Sequence, residues 1–168
     1  MRISPRRMLI WLLVIVTLLA ALLVAAGRLG WLQGTPPADL GVHAGRLKPP
    51  SPTPNSVSSQ AALYPDHPQR DYADIPPFAV QGDGSATLAR IRAVISDMPG
   101  ARVVTVGRDY LYAQFTTPLL RFVDDVEFWF DPAANVIHVR SASRVGRGDL
   151  GVNRRRVEQL RLGLGGAR

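Results

Sequence analysis

Acidic and basic side chains crowd two stretches of the chain, RFVDDVEFWF at 121–130 and RSASRVGRGDLGVNRRRVE at 140–158. Asp124, Asp125 and Glu127 stand in the first; Arg140, Arg144, Asn153 and Arg154 stand in the second. The simplest chemistry for them is mutual neutralisation, a structural ion-pair network that ties a C-terminal helix to an acidic strand. A second is ligand binding around an Asp124–Arg140–Arg144–Asn153 cluster. Gly146, Gly148 and Gly151 lead into a helix start flanked by arginines, where free backbone N–H groups suit an anion. No Gly-Lys-Ser/Thr follows, so this is not a phosphate loop. Enzymatic readings are weaker. Three carboxylates can hold a hard cation, but the neighbouring arginines compete for them, so no metal is expected. His138 with an acidic neighbour and Ser141 or Ser143 offers the parts of a hydrolase triad, without the Gly-x-Ser-x-Gly elbow. No motif calls for a cofactor.

These side chains need elements to position them. An uninterrupted strand over 120–130 puts Leu120, Phe122, Val126, Phe128 and Phe130 on a core face, because side chains alternate. Asp124 shares that parity. A buried carboxylate without a donor is costly, so either a bulge turns Asp124 out or Arg144 or Asn153 meets it inside. Residues 136–141 form the partner strand of a hairpin around Asp131-Pro132-Ala133-Ala134. Setting Phe130 opposite Asn135 pairs Phe128 with Ile137 and Val126 with Val139 on one face. The same register pairs Asp125 with Arg140 and Glu127 with His138 on the other, and a slip of one residue would mix the faces. Upstream, strands over 102–106 and 110–116 flank Gly107-Arg108-Asp109, with Leu111, Ala113 and Phe115 alternating against Tyr110, Tyr112 and Gln114. Asp83 or Ser85 caps a first helix carrying Leu88, Ile91, Val94, Ile95 and Met98 at helical spacing, ended by Pro99-Gly100. A last helix over 151–164 carries Val157, Leu160 and Leu164, with Asn153 on the same side. The expectation is an α+β domain over 78–168: an antiparallel sheet of about four strands with two packed helices.

Both stretches also resemble a known family. A Phe-Val-Asp-Asp-Val-Glu-Phe strand and an Arg-Ser-Ala-Ser-Arg-x-Gly-x-x-Asp-x-Gly-x-Asn-Arg-x-Arg run, with Pro54-Asn55-Ser56-Val57-Ser58-Ser59 upstream, are similar to the signatures of domain-of-unknown-function family 1499. The resemblance covers about 40–165 and implies no activity. Members carry Cys within the upstream signature, and often another shortly before it; here Ser56 stands at the first position and the chain has no cysteine.

The start of the chain places the rest. Residues 8–26 are 19 consecutive residues with no charge and one hydroxyl, Thr17. As a helix they span roughly 29 Å at 1.5 Å per residue, matching a bilayer core of roughly 30 Å. Arg2, Arg6 and Arg7 precede them, in a basic flank over 1–7, and Arg28 follows. The positive-inside rule then leaves the N-terminus in the cytoplasm, in the cell (inner) membrane, and carries the remainder to the periplasmic or other extracytoplasmic side. Trp11 and Trp31 bracket the segment as interfacial anchors. Val24-Ala25-Ala26 would serve as a cleavage site, but the apolar stretch is long for a signal peptide. Residues 27–77, rich in proline, read as an extended tether with segments that pack on the domain, Val57, Leu63, Tyr64, Ile75 and Phe78 being the packing candidates.

A sequence pI near 10.9 invites a nucleic-acid partner. The charge map argues otherwise: residues 31–139 hold eleven acids against eight bases, and eight of the twenty basic residues are arginines after position 139. Anionic lipid or an envelope protein is the expected partner for that block outside the cytoplasm. The resulting expectation is a membrane-anchored module for binding or envelope assembly, with an enzyme or anion-binding site at the Asp/Arg cluster as the alternative.

Overall fold

The computed structural model describes residues 4–80 and 82–166; Arg2 and Arg168 lie outside them. Helix α1 (Pro5–Arg28) begins with proline in its first turn, where the missing N–H costs nothing. It is long and apolar enough to cross a membrane, and none of its most apolar window is buried. Its last turn meets the 117–122 loop. Gly27 is buried there, and a Cβ on it would collide with the Leu120 carbonyl.

All strands of one sheet pair antiparallel: β1 (Ser56–Ser58), β2 (Phe78–Ala79), β3 (Ala101–Val106), β4 (Tyr110–Thr116), β5 (Val123–Asp131) and β6 (Val136–Ser143). Their order is β1-β6-β5-β4-β3, with β2 also on β6. The sheet thus has six strands, not four. The two extra ones, β1 within the proline-rich stretch and β2 directly after it, are three and two residues long and lack the length that would mark them as strands. The helices α3 (Gly84–Ser96) and α4 (Val152–Gly166) pack on one face; α2 (Arg70–Ala73) is a single turn. Asp83 caps α3, its side chain accepting the Ala86 N–H at 3.0 Å. Leu88, Ile91 and Ile95 of α3, Val157 and Leu160 of α4 and Phe128 of β5 meet in one core.

The opposite face is covered as well. Residues 35–52 run across it and are pinned by side chains. Leu47 is buried, its N–H donating to Gln60 Oε1 at 2.8 Å, while Gly41 N–H donates to Glu127 Oε1 at 2.7 Å and Ser51 N–H to Ser56 Oγ at 2.8 Å. Much of the proline-rich segment is therefore domain surface, with Val57, Ile75 and Phe78 in the core. This cover explains why β5 is buried on both faces over Val123–Trp129.

The β5–β6 hairpin departs from the expected register by two residues. Phe130 faces Ile137, not Asn135, and Glu127 faces Arg140, while Asp125 faces Ala142. The cause lies in the turn. Asp131 Oδ1 accepts the N–H groups of Ala133 and Ala134, at 2.9 and 3.3 Å, and Asn135 takes φ +52°. The turn is therefore 132–135 and Asp131 remains in the strand. A two-residue shift preserves the faces, so the core side was correct and the cross-strand charge pairs were not. β5 starts at Val123, because Arg121 at φ +60° and the pairing of Thr117 with Phe122 close a separate loop.

Candidate anion cleft and the buried polar network

The sheet separates the residues that the sequence groups together. On the helix face, Asp124 is met by Arg156, not by Arg144 or Asn153, and both partners are nearly buried. The Arg156 guanidinium also donates to Asn153 Oδ1 at 2.7 Å and Ser141 Oγ at 3.0 Å and lies over the Phe115 ring. Asn153 is fully buried and saturated. Its Oδ1 also accepts from Ser141 Oγ at 2.6 Å, and its Nδ2 donates to Asn55 O, Ser143 Oγ and Asp149 Oδ2 at 3.1, 3.0 and 2.8 Å. Asp149 closes the network by capping α4, accepting the N–H groups of Gly151 and Asn153 and the Tyr72 hydroxyl. Burial alone would raise the Asp149 carboxyl; those hydrogen bonds outweigh it and hold it below its ordinary value. Sequence reasoning overlooked Arg156, although it lies three residues from Asn153 and so shares its helix face. Arg154 does not reach the acidic strand: it donates to the carbonyls of Tyr72 and Asp74, at 2.6 and 3.0 Å.

On the other face, Arg144 forms a two-pronged pair with Asp125, Nε to Oδ2 at 2.8 Å and Nη2 to Oδ1 at 2.7 Å, joined by the Tyr112 hydroxyl. Burial pushes the Glu127 carboxyl up. Its Oε1 accepts from Tyr110 and Gly41, whereas Oε2 is buried with no hydrogen bond. Arg140 is only 3 % exposed. Its Nε donates to Pro49 O at 3.1 Å, and its Nη1 lies 3.7 Å from Glu127 Oε2, too long for a hydrogen bond. Neither Nη group donates to any described residue. Burial lowers the Arg140 guanidinium from its ordinary value, a sign of a buried charge that is incompletely compensated.

Arg140 and Arg144 line a cleft of ≈480 Å³ between the sheet and the overlying segment, together with Asp125, Lys48, Asp39 and Thr35. Asp124 and Asn153 are not among its lining. Lys48 is engaged with Asp39 at 2.6 Å and Arg144 with Asp125. Among the described residues, Arg140 differs from these two in that its side-chain hydrogen bond goes to a backbone carbonyl and not to a carboxylate.

His138 meets neither Ser141 nor Ser143, which face the helices. Its Nδ1 lies 3.1 Å from Ser59 Oγ, and its Nε2 3.7 Å from Asp131 Oδ2. Ser59 Oγ also accepts the Val139 N–H at 2.9 Å, and Trp129 stacks on the imidazole. Burial lowers the His138 value, favouring the neutral ring. These contacts fasten the segment after β1 to β6. Ser56 is buried and accepts the Ser51 N–H. Among the described residues no group of three His, Asp or Glu is placed to hold a metal ion.

An α+β domain with helices on one face of an antiparallel sheet and a proline-rich cover on the other, preceded by an apolar helix, defines the class of protein. The chain belongs to the family described as protein of unknown function (DUF1499), whose model matches residues 46–164. No curated protein and no solved structure matches it significantly.

Proposed function

We propose that this is a single-pass inner-membrane protein, with its N-terminus in the cytoplasm, that presents an extracytoplasmic binding module for a small oxyanion group, a carboxylate or a phosphate. The observation that carries this reading is Arg140: a buried guanidinium whose two Nη groups have no hydrogen-bond acceptor among the described residues, in an open cleft. An oxyanion accepts from such a fork in two places at once. Glu127 Oε2 stands 3.7 Å from Arg140 Nη1 and makes no hydrogen bond to it, leaving the guanidinium fork to an incoming anion. In the helix-face network Asp124, Arg156, Asn153 and Asp149 are all hydrogen-bonded to one another or to neighbouring groups, and it is read as structural. Anchoring is supported by the length and exposure of α1, and orientation by Arg6 and Arg7 before it. An extracytoplasmic domain meets anionic lipid or envelope protein rather than nucleic acid.

The test is calorimetric titration of the full chain in lipid nanodiscs with inorganic phosphate and with acetate. Saturable binding that falls at least tenfold in Arg140→Gln, with the circular dichroism spectrum intact, supports the cleft. Absence of binding to both anions, or equal binding by the variant, refutes it.

A further inference from the structure

Leu150 is 92 % exposed, more than any other large apolar side chain described, and its backbone sits at φ +50°. Leucine rarely adopts that region, and strain that turns a large apolar group outward points to a surface with a use. Leu150, Val145 and Val152 form one wall of a cleft of ≈250 Å³ whose other wall includes Thr117 and Phe122. Those two residues close the loop that holds Leu119, 60 % exposed, and Leu120, whose carbonyl packs on Gly27 at the end of α1. Trp31, 76 % exposed, follows directly, and Gly34 abuts the side chains of Val145 and Arg144. One end of the domain thus gathers Leu119, Leu150, Val145 and Trp31 beside the last turn of the apolar helix.

The charge at this end is positive. Arg28, Arg147 and Arg155 are exposed, and Arg155 Nη1 donates to the Leu150 carbonyl at 2.8 Å, fixing it beside the leucine. The nearby acids, Asp124 and Asp149, are buried and hydrogen-bonded within the fold.

We infer that this end is a membrane-docking surface. Leu119, Leu150 and Trp31 enter the headgroup region of the leaflet from which α1 emerges, and Arg28, Arg147 and Arg155 contact the phosphates of anionic lipids. The domain is then seated on the bilayer, with its sheet fixed relative to the surface. The inference rests on α1 lying in the bilayer as proposed above. Continuity supplies the occupant: the surface adjoins the residue at which the apolar helix ends, and exposed leucines among arginines match a lipid interface in both polarity and charge.

The chain has no cysteine, so single-cysteine probes carry no background. A fluorophore is placed on Leu119→Cys, Leu150→Cys, Val106→Cys or Ile15→Cys in the full chain, in nanodiscs containing nitroxide-labelled lipid. Val106 lies at the far end of the sheet, roughly 17 Å along the strands from the Thr116 end at 3.4 Å per residue. Severalfold stronger quenching at positions 119 and 150 than at 106, with Ile15 quenched, is the expected result. Quenching at 15 but equal, weak quenching at 119, 150 and 106 overturns the docking surface while leaving the anchor intact. Weak quenching at 15 overturns the anchor itself. Adding phosphatidylglycerol to the discs strengthens quenching at 150, and Arg147→Gln with Arg155→Gln removes that gain; no dependence on the anionic lipid overturns the role of the arginines.

Discussion

Asp124 and Asp125 are adjacent in the chain and lie on opposite faces of the sheet, one bound by Arg156 beneath it and the other by Arg144 above it. Strand alternation makes the separation unavoidable. It divides a seemingly single acidic cluster into an interior network and the floor of a cleft. The two halves have different expected behaviour on mutation.

Arg156→Met leaves the Asp124 carboxylate buried without its donor. It should lower stability by about 3–5 kcal/mol, the usual cost of breaking a buried pair from one side. Asp124→Asn combined with Arg156→Met should cost less than the sum of the single changes, by about 1 kcal/mol or more. Thermal unfolding followed by circular dichroism in detergent measures both; strict additivity would show that the two side chains are not coupled.

Asp149→Ala removes the acceptor for Tyr72, for two N–H groups at the start of α4 and for the Asn153 amide. A loss of about 2–3 kcal/mol follows from the cap and the stranded buried donors. The carboxyl is held below its ordinary 3.8. Its contribution is therefore complete above that value and disappears as pH falls through the lower folded value. The stability gap between wild type and variant, measured across an acid titration, should close in strong acid and not at neutral pH.

Glu127 has the opposite sign. Burial raises its carboxyl above the ordinary 4.5, so the folded chain holds the proton more tightly than the unfolded one. Wild-type stability relative to Glu127→Gln is then greatest below that value and declines as pH rises through the folded value. Unfolding midpoints of the two proteins, compared between about pH 4 and about pH 8, test the direction; a gap that grows in favour of wild type with rising pH would contradict it.

Gly27→Ile places a side chain against the Leu120 carbonyl, which is backbone and cannot yield. The last turn of α1 should part from the 117–122 loop and expose the segment after it. Trypsin acting on the nanodisc-embedded protein should then cut after Arg28 faster in the variant than in wild type. Equal rates would mean that this contact does not hold the domain to the helix.

Much of this architecture is written in local pattern. The uncharged run at 8–26, the apolar stripe of α3, the Asp83 cap, the alternation in β4 and the inward placing of Asn153 are all properties of neighbouring residues. Periodicity and helix-end chemistry act over a few positions, so they are legible without the fold. The same is true of the core face of β5, which survives a two-residue change of register because the side-chain period is two.

What the tertiary structure alone decided depends on residues far apart in the chain. The β5–β6 register rested on whether Asp131 closed the turn or stayed in the strand, a choice made by its side-chain hydrogen bonds. The partner of Asp124 came from a helix 32 positions onward. Arg140 is enclosed only because residues 35–52 fold over the sheet and supply the Pro49 carbonyl to one of its nitrogens. A proline-rich segment has no periodicity to reveal which face it will cover. Its side-chain and carbonyl contacts, formed at long range, determine which charges are paired and which are not.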